Sequence, residues 1–217
     1  MNTPNMKPFS RASESNRQPI IEVLLESFSD QQKVLEIGSG TGQHAVYFSR
    51  YLTHLIWQTS DRQTNHNAIN QWIDEFSVKN IRRPLVLDVE NKDNWNHLLT
   101  LQNKNPVDGV FTANTLHIMP WSSVEKMFAG VAKLFSINRD SCSNPRGRFI
   151  VYGPFNRDGE FTSTGNAVFN QQLQQSDSSM GIRNDRDVVE LAGKNFLQLV
   201  GDIDMPANNR MLIFDVE

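Results

Sequence analysis

The chain has 217 residues, 38% of them hydrophobic, a mean hydropathy of -0.47 and a formal charge of -3 from 24 acids and 21 bases. That length fits one α/β domain and that polarity still allows a buried core, while the scattered bases, with Arg82-Arg83 the only adjacent pair, offer no stripe for a nucleic acid. The single cysteine, Cys142, excludes an internal disulfide framework, no apolar run is long enough to span a membrane, and the polar start at residues 1–8 lacks a signal-peptide core, so a cytoplasmic protein is expected.

A polar stretch at 10–16 leads to Pro19, which suits a first helical turn, and Ile20, Ile21, Leu24, Leu25 and Phe28 form an apolar stripe. Residues 1–30 therefore read as an N-terminal helical prelude. The pattern then predicts a strand at 33–37, a helix at 44–51, a strand at 54–59, and a helix near 65–76 with Ala68, Ile69, Trp72, Ile73 and Phe76 inward. A third strand at 84–87 ends at Asp88. Trp95, Leu98, Leu99 and Leu101 mark a short helix, and the fourth strand, 107–113, ends at Asn114. After Pro120, Ser122 and Glu125 have capping-box spacing ahead of Met127, Phe128, Val131, Leu134 and Phe135. A fifth strand at 148–152 is stopped by Gly153-Pro154. Residues 155–185 are too long for an ordinary connection, yet Phe155, Phe161, Val168, Phe169, Leu173 and Met180 are too apolar for a linker. They read as an inserted lid or substrate wall. A helix at 187–196 precedes two strands, 197–203 and 211–216, which flank a short reversal at 206–209 and close a β-hairpin. This alternation predicts an α/β fold with a mostly parallel sheet covered on both faces.

The densest signal is Val34-Leu35-Glu36-Ile37-Gly38-Ser39-Gly40-Thr41-Gly42-Gln43-His44, an apolar strand that runs through an acid into three glycines. Cβ atoms at Gly38, Gly40 and Gly42 would hold the backbone off a ligand and forbid the tight turn. The following helix starts at the ligand with unpaired N–H groups. The run reads as the nucleotide-binding turn of an S-adenosylmethionine methyltransferase, with Ser39 and His44 beside the cofactor. Gln43 stands where a dinucleotide fingerprint wants glycine, so NAD is the weaker reading.

In an open parallel sheet, ligands bind beyond the carboxyl ends of the strands. That rule selects Asp61 with Arg62, Asp88 with Val89, Asn114 with His117, and the segment after Tyr152. Asp61 can accept both ribose hydroxyls; a helix cap or a salt bridge to Arg62 competes. Asp88 can accept the adenine amine or cap the next helix. Asn114 would lie under the methionine portion. Glu36 orders the glycine loop by accepting backbone N–H groups, or receives the cofactor's ammonium. His117 is the candidate general base, a role that contributes roughly 10²- to 10⁴-fold, with a satisfied core histidine as the competing reading. Tyr152 is the second catalytic candidate. Ser10, Ser13, Glu14 and Asn16 from the prelude, with Phe155 and Asn166, would line the acceptor pocket. The five histidines include no H-E-x-x-H and one cysteine builds no thiolate site, so no metal is expected. The chain lacks the Asn/Asp-Pro-Pro-aromatic run of base-amino methyltransferases, a Pro-Cys pair and G-x-S-x-G.

Residues 34–44, 57–62, 87–90, 113–121 and 152–159 together resemble the class I S-adenosylmethionine-dependent methyltransferases. More narrowly, the chain is similar to the methyltransferase-like protein 26 family, long labelled a domain of unknown function. The narrower likeness runs nearly end to end, through Phe9-Ser10, Gly40-Thr41-Gly42-Gln43-His44-Ala45-Val46, Trp57-Gln58, Ala113-Asn114, His117-Ile118, Pro120-Trp121, Tyr152-Gly153-Pro154-Phe155, Gly181-Ile182-Arg183 and Met205-Pro206-Ala207-Asn208-Asn209. The resemblance implies a Rossmann-like, seven-stranded sheet in the order 3-2-1-4-5-7-6 and a bound S-adenosylmethionine, with residues 1–217 as one domain. The chain departs from it at 165–170, where a serine before Asn166 and an acid in place of Asn170 are expected. The leading expectation is a methyltransferase acting on a small molecule. A methyl-donor-binding protein without turnover and an NAD-linked oxidoreductase are the alternatives.

Overall fold

Ser10, extended at φ −105°, accepts the Ser13 N–H on its side chain and so opens helix α1, Arg11–Ser27. The computed structural model describes residues 7–101, 106–139 and 147–217, without the side chains of 137–139; Cys142 and residues 1–6 lie outside the described residues. Pro19 is inside α1, not in its first turn. The bond it cannot make is to the carbonyl of Ser15, which is exposed, so water can replace it. Ile20, Ile21, Leu24 and Phe28 are buried as the stripe requires, whereas Leu25 is 45% exposed.

The remaining elements are β1 Lys33–Ile37, α2 Gln43–Tyr51, β2 Ile56–Asp61, α3 His66–Glu75, β3 Ile81–Val86, α4 Lys92–Thr100, β4 Gly109–Ala113, α5 Trp121–Arg139, β5 Arg148–Asn156, α6 Thr164–Ser176, β6 Arg183–Asn184, α7 Asp185–Lys194, β7 Leu197–Met205 and β8 Asn209–Val216. The main strands form one sheet in the order β3-β2-β1-β4-β5-β8-β7, and the two-residue β6 pairs with the end of β5. The first five run parallel, and the closing hairpin is antiparallel to β5. The order is the Rossmann-like one expected from the sequence, with one short strand added inside the 155–185 insertion. Strand order reverses between β1 and β4, so the crevice lies above Gly38 and Asn114.

Period-two alternation divides the core between the two faces. Leu35, Ile37, Phe149, Val151 and Phe155 meet α5 and α7 through Phe128, Phe135, Val188 and Leu191. Val34, Trp57, Phe111, Ile150 and Tyr152 meet the helices of the other face through Leu24, Phe48 and Trp72. Phe155 therefore belongs to the core beneath α5 and α7, not to a substrate wall as expected, because β5 continues and sends it to the opposite face from Tyr152.

Several boundaries move for local reasons. β2 starts at Ile56, because His54 turns back to bond the Phe28 carbonyl at 2.9 Å. β3 starts at Ile81 and carries Arg82, Arg83 and Pro84, which an edge strand tolerates. β4 starts only at Gly109, because Asp108 turns its carboxylate onto the Gln32 and Lys33 N–H groups. Ser122 sits inside the first turn of α5, not at its cap. β5 passes through Gly153-Pro154: Asn114 N–H donates to the Tyr152 carbonyl, so Pro154, two residues on, faces the side where β4 has ended and its missing N–H costs nothing. Ser163 caps α6 by accepting from Asn166 N–H, a helix not expected from the sequence. α7 opens two residues early, at Asp185. The buried Arg210 of β8 holds that start, bonding Asp185 at 2.7 Å and Asp202 of β7 at 2.9 Å. Among the described residues no helix is long and apolar enough to cross a membrane.

Candidate functional site

A cavity of about 1260 Å³ opens beyond the carboxyl ends of β1, β2, β4 and β5. That exceeds the roughly 300–1,000 Å³ typical of one small-molecule site. Its floor is the glycine loop. Gly38 and Gly42 have positive φ, and an added Cβ would meet Thr115 Cγ2 at 2.7 Å and Ile69 Cα at 2.9 Å, so protein rather than ligand crowds them. Gly40, at φ +58°, has nothing within 4 Å of an added Cβ and presents bare main chain to the cavity. The loop is tied down from β2, where the Ser60 carbonyl accepts from Gly38 and Ser39 N–H at 3.0 Å each.

Glu36 lies behind the loop, buried, and accepts from Ser39 Oγ at 2.7 Å and Trp57 Nε1 at 3.2 Å. It orders the turn through a hydroxyl and an indole instead of backbone N–H groups, which Ser60 already holds. Burial raises its carboxyl to about 7. Asp61 accepts from Gly40 N–H at 2.7 Å, from Arg62 N–H at 2.7 Å and from Asn65 Nδ2 at 2.8 Å. It thus braces the loop from the cavity wall. Asp88, half-buried, accepts only Glu90 N–H at 3.0 Å among the described residues, since Asn91 caps α4. Arg62, Val89 and Asn114 also line the cavity. Asn114, at the end of β4, holds φ +57°, a left-handed conformation uncommon for a side-chain-bearing residue.

The other half of the chamber is walled by α1, β5, α6 and the hairpin turn. Asn16 Oδ1 lies 2.7 Å from His44 Nε2, and the same side chain bonds the Tyr152 hydroxyl. His44 also bonds the Ser13 backbone, stacks on Phe48 at 4.9 Å, and burial lowers its pKa to about 4. His44 therefore fastens α1 to α2 at the cavity's edge. His117, on the 3₁₀ turn Leu116–Ile118, is 5% exposed and meets Phe169 edge-on at 5.3 Å. Burial first, and then the Arg183 charge, lower its pKa to about 4. Its ring bonds no protein group among the described residues, and it lines the cavity. Gly181 N–H donates to its carbonyl at 2.9 Å, so the segment after α6 holds the turn in place. Asn166 reaches Thr162 Oγ1 at 2.8 Å and the Asn208 carbonyl at 3.3 Å. Asn170, where an acid was expected, accepts Ile182 N–H at 2.8 Å, a task a carboxylate performs equally well.

Of the expected lining residues, Ser10, Ser13 and Asn16 reach the cavity, whereas Glu14 turns to Arg17 in a surface ion pair and Phe155 is in the core. Phe169 and Met180 of the segment read as a lid or substrate wall line the cavity, whereas sequence reasoning missed Gln43 as a clasp. The Gln43 amide accepts Ser10 N–H and donates to the Ser10 carbonyl at 3.3 Å, fastening the prelude over the loop.

Residues 7–216 match the family described as Protein of unknown function (DUF938). The chain belongs to that family. Solved structures similar to this DUF938 chain include an O-methyltransferase family protein from Burkholderia thailandensis, at 16% identity and TM-score 0.76 over 95% of this chain and 57% of that one. The mitomycin 7-O-methyltransferase MmcR aligns at 13% identity and TM-score 0.74 over 95% of this chain and 54% of its own. The S-adenosylmethionine-dependent methyltransferase SibL, in its apo form, aligns at 16% and 0.69 over 94% of this chain and 55% of its own. The DUF938 chain thus spans little more than half the length of these proteins. Identities this low show the shared fold alone.

Proposed function

We propose that this DUF938 protein is an S-adenosylmethionine-dependent methyltransferase acting on a small molecule. The observation that carries the reading is the juxtaposition, within one cavity, of bare main chain at Gly40 and a second chamber containing the free imidazole of His117. The fit to an adenosyl ligand follows from side chains already in place. Asp61 has acceptor capacity left for ribose hydroxyls after its three bonds, and Asp88 has one carboxylate oxygen without a protein donor among the described residues, available to an adenine amine. Asn114, Val89 and the loop main chain would hold the rest. When bound, S-adenosylmethionine supplies a methyl group activated by a sulfonium.

The chain's own contribution is positioning and proton handling. The Asn16 amide and the Tyr152 hydroxyl orient an acceptor, and His117 takes its proton. Alignment alone can supply about 7–11 kcal/mol, so the histidine adds to a reaction already favoured by placement. Extending the family resemblance, we read residues 1–217 as one methyltransferase domain akin to the methyltransferase-like protein 26 family. Calorimetry with S-adenosylmethionine and its demethylated product, followed by transfer of labelled methyl into fractionated cell extract, tests the reading; absence of binding sinks it.

A second reading, a donor-binding protein without turnover, is favoured by one observation: neither buried histidine of the chamber titrates near neutrality. It predicts donor binding with no label transferred to any fraction.

A further inference from the structure

We infer that the acceptor is an uncharged, hydroxyl-bearing small molecule, and that carboxylates, phosphate esters and amines are excluded from the second chamber. This deepens the methyltransferase reading and rests on it. Every polar side chain that α1, α2, β5, α6 and the 3₁₀ turn present there is neutral: the Ser13, Ser15 and Tyr152 hydroxyls, the Asn16 and Asn166 amides, and imidazoles at His44 and His117. Among the described residues lining the cavity the one cation is Arg62, at the end of β2 on the donor side.

Other cations of this end are engaged elsewhere: Arg17, whose charge reaches His44, pairs with Glu14 at 2.6 Å. Arg183, which is not a lining residue, donates to the Leu116 and Ser179 carbonyls at 3.0 Å and to the Met119 carbonyl. Arg210 is locked between Asp185 and Asp202. An anionic acceptor would therefore find no side-chain cation in this half, only the donor's sulfonium, whose charge is lost in the transfer. A cationic one fares no better. The carboxylate at this end, Asp177, is exposed at the rim, where water screens its charge, and takes the N–H and the hydroxyl of Ser179 on one oxygen. The remaining lining acids, Asp61, Asp88 and Glu90, lie on the donor side.

An uncharged hydroxyl suits the transfer itself. The acceptor oxygen forms a C–O bond as the methyl carbon leaves sulfur, sulfur keeps the bonding pair and becomes a neutral thioether, and the hydroxyl proton passes to His117 and on to water. The sulfonium's positive charge leaves with that proton to water, and no unpaired anion appears at any stage.

The test uses the full chain, labelled S-adenosylmethionine and the small-molecule fraction of an extract of cells that make the protein. Products are separated by anion and cation exchange, and part of each fraction is heated in mild alkali to release methyl esters as methanol. The expected result is alkali-stable label in the uncharged fraction, at least ~10-fold above either charged fraction. Label held by either exchanger, label released by alkali, or no label in small molecules while calorimetry shows the donor bound overturns the inference and leaves donor binding standing. Failure of donor binding itself overturns the parent reading instead.

Discussion

Replacing Glu36 by Gln should make the protein more stable at pH 8 and leave it nearly unchanged at pH 4.5. The carboxyl is 2% exposed, and burial raises it from 4.5 to about 7. A group whose folded value lies above its unfolded one keeps its proton longer in the native state, so folding stability is greatest below about 4.5, falls as the pH rises, and levels off above about 7. The interval corresponds to roughly 3 kcal/mol at 1.36 kcal/mol per pH unit. Gln presents an acceptor to Ser39 Oγ and Trp57 Nε1 and has no charge to bury. Urea unfolding of both proteins between pH 4.5 and 8 should give curves that diverge with pH by up to ~3 kcal/mol at unchanged slope. A difference that is independent of pH, or wild type gaining on the variant as pH rises, would refute the argument that burial dominates this site.

The glycine loop predicts an ordering. Gly42→Ala, whose Cβ meets the Ile69 main chain at 2.9 Å, should lose about 2–4 kcal/mol by urea titration, against about 1–2 kcal/mol for Gly40→Ala, which pays only for its positive φ. Gly40→Val should keep the fold yet bind S-adenosylmethionine at least ~100-fold more weakly by calorimetry, a loss of about 2.7 kcal/mol; unchanged affinity would place the ligand elsewhere. His117→Gln should lower methyl transfer by roughly 10²- to 10⁴-fold while donor affinity stays within about twofold. Because His117 is neutral above about 4, kcat/KM should show no inflection from this group between about pH 5 and 8. Arg210→Met should cost about 3–5 kcal/mol in thermal or urea unfolding, since it strands Asp185 and Asp202.

Local chemistry was legible wherever one residue type had one task. The glycines, the acids ending β1 and β2 and the alternation of apolar strands pointed to the crevice, because a parallel sheet leaves few other places for a ligand. What could not be read were decisions made by neighbours distant in sequence. Phe155 looked like a chamber wall until β8 and β6 carried β5 onward and turned it into the core. Pro19 looked like a helix start, although Ser10 offered the better cap. Gln43 stood out only as a departure from a dinucleotide motif, and its clasp on Ser10 depends on a packing of α1 against α2 that no local pattern encodes. α6 was hidden because its sequence, rich in Gln and Asn, has an inward face narrowed to Asn166, Asn170 and Leu173.

The two halves of the chamber come from different parts of the chain. The loops proposed to meet a methyl donor lie between Glu36 and Asn114, whereas the opposite wall adds to His44 and His117 the residues 10–16 and segments from Tyr152 to Asn209. A descendant of this protein could thus exchange its clientele by altering its two extremities while the fuel socket in the middle stayed intact. A growing polypeptide, for its part, has every piece of that socket well before the last piece of the client's wall leaves the ribosome.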